Sequence, residues 1–282
     1  MKNKTLQELT LKDNFLFGAV MLDEETCRQF LEIALGIEIE RVKVSTEKSI
    51  VYHPEYHGVR LDAYARDEKN TCYNIEMQVE KTSIVKRSRY YHGQMDMELL
   101  LKGMDYEKLP NSYVIFICCY DPFGQGKCKY TVEQRLRENP EYNYSDGSYT
   151  IFLNTKGTNR DEVSEELVNF LEFVNAELEE SQQEYNDPFV ARLQEKIRQI
   201  KSSRVMEERF MVLKEMLQKE RREGYEEGQK EGYEEGQKQL LSALIQKKIE
   251  KGKSVEQIAD ELEEDISAIR PIYDELEKNR LK

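Results

Sequence analysis

The spacing of apolar and polar residues changes period several times along the chain, and each change marks an element. Residues 24–35, EETCRQFLEIAL, carry apolar side chains at helical spacing, and Gly36 stands where a left-handed C-cap belongs. Residues 39–52 read as extended. Residues 60–80, RLDAYARDEKNTCYNIEMQVE, alternate with a period of two on both sides of the polar DEKN, which predicts a β-hairpin. Residues 82–103, TSIVKRSRYYHGQMDMELLLKG, open with Thr82 and Ser83 as candidate caps and predict a long helix closing at Gly103. SYVIFICCY, 112–120, is a continuous apolar run of a length that suits a strand buried on both faces. SYTIFLNT, 148–155, is a further strand. The order is helix, three strands, helix, strand, with one more strand appended.

From about residue 160 the signals are almost wholly helical. DEVSEELVNFLEFVNAEL and DPFVARLQEKIRQI predict two helices, and a long charged helix runs from about 203 to 249. This composition shift places a domain boundary between about 180 and 203. The division expected is 1–190 for a compact α/β domain, 191–250 for the long helix as an oligomerisation element or spacer, and 251–282 for a small helical tail. Within the long helix EGYEEGQK occurs twice, at 223–230 and 231–238, so Gly224, Gly228, Gly232 and Gly236 recur every fourth residue. Each mid-helix glycine costs about 1 kcal/mol relative to alanine. Close approach of two helices in a homo-oligomer explains them, and so does a loosely ordered charged spacer; the period does not decide. In the tail, Ser254 caps a helix with Val255, Ile258, Ala259 and Leu262 on one face. The shape resembles a helix-turn-helix, yet its second helix carries Asp265, Asp274 and Glu275 against Arg270 alone. Recognition helices are usually basic, so packing or assembly is the expected role.

The hairpin carries the candidate chemistry. With the turn centred near 68 or 69, opposed residues number to a constant of about 137 or 138. Asp62 then faces Glu76 across the strands. Asn74, Glu76, Gln78 and Glu80 share one face of the second strand, while Ile75, Met77 and Val79 point to the core with Leu61, Ala63 and Ala65. Directly opposed carboxylates repel and weaken a sheet. A divalent cation removes the repulsion, and carboxylate oxygens are the ligands Mg²⁺ or Mn²⁺ prefers. The bland reading is an exposed polar face with Asp62 paired to Arg60 or Arg66. Against it, the acids sit among strong β-formers, and the following helix should cover them with Lys86, Arg87, Arg89, Tyr91 and Gln94. Cations above a carboxylate–metal centre suit a phosphodiester.

Composition narrows the setting. The 282 residues hold 42 Lys+Arg against 55 Asp+Glu, a net charge of −13, which disfavours a protein that coats nucleic acid but leaves room for a local basic groove. The five cysteines have no C-x-x-C spacing, so neither a disulfide framework nor a zinc knuckle is expected. FLFGAVML is too short to span a bilayer, and no signal core precedes it; the expected setting is soluble, reducing and cytoplasmic.

RLDAYARDE…YNIEMQ, RSRYYHGQMD and VIFICCYDPFG, with KDNFLFG and YTIFLNTKG on either side, resemble the Rpn family of recombination-promoting nucleases and transposases, within the PD-(D/E)XK nuclease superfamily. The resemblance covers nearly the whole chain, and the block of 60–78 is its most specific part. It implies a restriction-endonuclease-like αβββαβ core with a mixed α/β sheet, matching the order read above, followed by an all-α extension with the long charged helix as a coiled coil. It implies a bacterial, Mg²⁺- or Mn²⁺-dependent DNA endonuclease, a hydrolase of phosphodiester bonds linked to DNA recombination or mobile elements. Asp62 takes the motif aspartate, Glu76 the (D/E) position and Gln78 the lysine position. Asp62 and Glu76 would hold the metal, with the Met77 carbonyl as a further ligand, and Arg87, Arg89 and Gln94 would contact DNA. Gln78 departs from the pattern: an amide can bond a water but carries no charge, so Arg87 is the candidate replacement cation. Glu47 and Glu32 are further acids with no assigned role. The partners expected are DNA and a second copy of the chain through the C-terminal helices, with no membrane.

The competing class is a catalytically weak or silent transposase-derived scaffold, favoured by the acidic charge and the missing lysine. Other motifs fall away. His53 and His57 are four apart, but Pro54 disfavours a helix there, so surface loop histidines are expected. GQGK at 124–127 lacks both the first glycine and the Ser/Thr of a P-loop. His92 is expected to be a partly exposed helix residue.

Overall fold

The computed structural model describes residues 4–50, 59–142 and 144–280, and the side chains at 46–50, 59–61 and 279–280 lie outside that description. Helix α1, Asn14–Met21, was not foreshadowed by the polar–apolar pattern, because its run FLFGAVM is apolar nearly all round. Helix α2, Glu24–Leu35, begins where Asp23 accepts the Thr26 amide at 3.0 Å and its hydroxyl at 2.6 Å, and ends at Gly36 with φ 73°. Strands β1 (Val42–Ile50), β2 (Val59–Asp67) and β3 (Cys72–Gln78) follow. Helix α3, Ile84–Leu99, stops one turn before the glycine expected to close it. Strand β4 is Ser112–Cys118, β5 is Lys129–Val132 and β6 is Ser148–Asn154. The short β5 carries no strong periodicity, and residue spacing does not predict it.

The six strands form one mixed sheet in the order β1-β2-β3-β4-β6-β5. The β1–β2, β2–β3 and β5–β6 pairs are antiparallel, and β3–β4 and β4–β6 are parallel. Asp67 sets the central hairpin. Its Oδ1 accepts the amides of Lys69 at 2.9 Å and Thr71 at 2.8 Å, its Oδ2 accepts the Tyr73 hydroxyl at 2.8 Å, and Asn70 turns the chain at φ 65°. The register follows: Ala63 pairs with Ile75, Tyr64 with Asn74 and Arg66 with Cys72.

On one face of the sheet α1, α2, α4 (Glu165–Asn175) and α5 (Pro188–Ser202) bury Ala63, Ala65, Ile75 and Met77 with Phe17, Phe30, Phe170 and Phe173. On the other, α3 packs Ile84, Tyr91 and Met95 against Tyr64, Cys72, Val114, Phe116 and Phe152. Val79, expected in the core, is 48% exposed, because β3 ends at Gln78 and the chain leaves the sheet there. Helix α6, Arg204–Ile249, runs unbroken through both octamer copies, and among the described residues nothing lies within 4 Å of a Cβ placed at Gly224, Gly228, Gly232 or Gly236. Helix α7, Val255–Leu262, is capped by Ser254 and packs with α8, Ile266–Arg280, around Ile245, Ile249, Ile258 and Ile269. Two compact units result, Met1–Phe210 and Met211–Lys282. Among the described residues no helix is long and apolar enough to cross a membrane.

His92 is buried, not half-exposed as its helix position suggested, because that side of α3 lies on the sheet. Its Nδ1 lies 2.8 Å from Ser112 Oγ on β4 and its Nε2 3.1 Å from Thr150 Oγ1 on β6. Burial lowers its pKa to about 4 from 6.5. The folded protein therefore binds fewer protons than the unfolded chain between those values, so stability falls as pH drops through that window. The expected loss attributable to this side chain, from pH 7 to below 4, is about 3 kcal/mol. Urea midpoints measured across this range should show that slope in the wild type and a shallower one in His92→Gln; equal slopes would assign the acid lability elsewhere.

Candidate active site on the hairpin

The hairpin register carries one step beyond Ala63–Ile75 to bring Asp62 opposite Glu76, as the sequence pattern required. At this step the carboxylates bond the facing backbone: Glu76 Oε1 accepts the Asp62 amide at 3.3 Å, and Asp62 Oδ2 accepts the Met77 amide at 3.1 Å. The two acids are thus locked across the strand pair on the face covered by α3. Helix α1 crosses the back of β2 at the same point, where a Cβ at Gly18 would stand 3.4 Å from the Asp62 carbonyl oxygen.

Glu76 is 4% exposed. Burial first, and the neighbouring Asp62 charge second, push its pKa up to about 8, against the pull of the Arg87 guanidinium. Arg87 Nη2 lies 3.9 Å from Glu76 Oε2, while the guanidinium stacks over Tyr91 and Phe116, 5.6 Å and 5.3 Å from their ring centres. The Tyr91 hydroxyl donates to Glu76 Oε2 at 3.4 Å. Gln78, 8% exposed, donates from Nε2 to the Met77 carbonyl at 2.9 Å and accepts at Oε1 from Thr82 Oγ1 at 3.4 Å. Asn74, two residues before Glu76 on the same face, is fully buried, and its side-chain amide favours the charged form of the Glu76 carboxylate.

Asp62, Glu76 and Arg87 therefore converge, and Gln78 shares their face of the sheet but bonds Met77 and Thr82. Gln94 is buried on the sheet side of α3, whereas Lys86 and Arg89 are on its exposed side. Tyr91 is buried and Tyr90 exposed, as adjacent helix positions require. Arg66 bonds the side chains of Tyr64 and Cys72. Glu32 is spent on Arg28 and the Ile39 amide. Glu47 holds the register position opposite Asp62 on β1; its side chain, like that of Arg60 and like His53 and His57, lies outside the described residues. Among the described residues no group of three or more His, Cys, Asp or Glu side chains is assembled for a metal. The two carboxylates offer oxygen donors alone, which suit a cation that keeps several waters, while the Met77 carbonyl accepts from the Gln78 amide. A buried carboxylate pair offset by one guanidinium at 3.9 Å is short of positive charge, and a divalent cation would supply it.

The family model for PD-(D/E)XK nuclease family transposases matches residues 14–243. The chain belongs to this family. The mixed sheet of this PD-(D/E)XK protein, with its helices on both faces, is the fold the family name implies. Nucleases of this kind use divalent metal ions and act on DNA. No curated protein and no solved structure matches the chain.

The charge imbalance has a measurable consequence. An acid whose folded pKa is raised destabilises the fold as pH rises from its unfolded value, near 4.5, through its folded one. Glu76→Gln should therefore raise the metal-free unfolding free energy at pH 8, by about 4 kcal/mol, and change it little at pH 4.5. A lower midpoint at pH 8 would mean that the carboxylate is already compensated.

Proposed function

We propose that the protein is a Mg²⁺- or Mn²⁺-dependent DNA endonuclease serving recombination or mobile elements. The observation that carries this is the buried Asp62–Glu76 pair, cross-bonded to the facing strands and undersupplied with cations, beneath Arg87. Asp62, Glu76 and the Met77 carbonyl would hold the metal. A divalent cation there polarises a phosphodiester and lowers the pKa of the attacking water.

The chain's own residues supply the rest. Gln78 stands where the family motif places lysine, and its amide can bond the water but adds no charge. Arg87 takes over that charge: it is held over Tyr91 and Phe116, close to Glu76, where it can meet the negative charge that develops on phosphate oxygens. Arg89, exposed on the same helix, would contact the DNA backbone, and Gln94, buried against the sheet, would help hold α3 over the site. The exposed apolar residues Met211, Val212 and Met216 on α6 support homodimerisation through the C-terminal helices.

In magnesium, Asp62→Ala and Arg87→Ala should each lower the rate of supercoiled-plasmid cleavage by at least about a hundredfold, while Arg87→Lys keeps part of it. Wild-type rates in Asp62→Ala would refute the enzyme and favour a DNA-binding scaffold.

A further inference from the structure

Arg87 and a divalent cation would neutralise the same carboxylate. The guanidinium stands 3.9 Å from Glu76 Oε2, over the rings of Tyr91 and Phe116. Charge and ring faces hold it there rather than hydrogen bonds: its Nε and Nη2 are buried and meet no hydrogen-bond partner among the described residues. Tyr91, Cys118 and Tyr120 also lie within its electrostatic reach. Burial raises the pKa of all three, so they stay neutral and Glu76 supplies the counter-charge. The Arg87 side chain is 31% exposed and can withdraw toward solvent, whereas Glu76 is buried and fixed to β2.

A guanidinium and a dication a few ångströms apart repel, and the repulsion is strong where water is excluded. Whichever of them holds Glu76 therefore weakens the hold of the other. A resident cation that must be displaced lowers the affinity of the incoming ion by the worth of the contact it gives up. We propose that Arg87 is a built-in counter-ion that competes with the metal for Glu76: a divalent cation must displace it, and it thereby weakens metal binding at the acid pair. The inference rests on the metal-dependent reading above and adds its regulation. Arg87 faces Oε2, while Oε1 takes the Asp62 amide, so withdrawal of the guanidinium leaves the cross-strand lock in place. Released from Glu76, the same guanidinium is the one assigned above to the phosphate, so arrival of the metal and neutralisation of the substrate are coupled through one side chain.

The test is Mn²⁺ binding by isothermal titration calorimetry on the full chain without DNA, with wild type, Arg87→Met, Arg87→Lys and Asp62→Ala, each checked for folding by circular dichroism. Arg87→Met should bind Mn²⁺ about tenfold tighter than wild type, within the range such couplings span, although it cleaves DNA more slowly. Arg87→Lys keeps the positive charge and should stay close to wild type. Should Arg87→Met not fold, Arg87→Gln, polar but uncharged, takes its place under the same criteria. Equal or weaker Mn²⁺ binding by Arg87→Met overturns the competition and leaves the nuclease reading standing on wild-type binding. Arg87→Lys tightening as much as Arg87→Met also overturns it, because bulk rather than charge would then be the cause. Wild-type affinity in Asp62→Ala places the ion elsewhere and overturns both readings. Binding by Arg87→Met but not by wild type keeps the competition and removes the metal-dependent nuclease; binding by neither removes both.

Discussion

The cross-strand lock between Asp62 and Glu76 is the constraint on which the rest depends. Each carboxylate takes a backbone amide from the other's strand, so neither can turn away from the other. That geometry requires the hairpin register, which the Asp67 turn holds. It also requires the sheet to present opposite chemistries on its two faces: Ala63, Ile75 and Met77 to the large core, Asn74, Glu76 and Gln78 to the helix α3. A one-residue slip would exchange those faces and bury the acids in the hydrophobic core.

The two faces divide the labour. The large core, with its buried phenylalanines from α1, α2 and α4, supplies stability. The α3 face carries the unfavourable terms: a buried carboxylate with a raised pKa beside a second acid, and an Arg87 guanidinium with Nε and Nη2 buried and without a hydrogen-bond partner among the described residues. Such groups lower stability where they stand, and their clustering around one acid pair is what a site organised for an ion and an anionic substrate looks like.

Much of this was legible from residue spacing. Period-two alternation on both sides of DEKN placed Asp62 against Glu76, because strand pairing is local and the turn chemistry explicit. Gly36 ended α2 where its type demands, and the apolar run 112–120 read as a doubly buried strand. The failures have physical causes. Helix α1 is apolar all round and shows no stripe, β5 is four residues long, and Val79 falls past the end of β3 although the alternation continues through it. His92 owes its burial to Ser112 on β4 and Thr150 on β6, and contacts so distant in sequence leave no local pattern. The parallel β3–β4–β6 arrangement is a tertiary outcome of the same kind.

The most direct test of the central claim is crystallographic: anomalous diffraction from crystals soaked in Mn²⁺. A single strong peak bound by the Asp62 and Glu76 carboxylates and the Met77 carbonyl, with Arg87 displaced from Glu76, is the expected result. Saturating Mn²⁺ with no peak there, and Arg87 still against Glu76, would contradict a metal-dependent site.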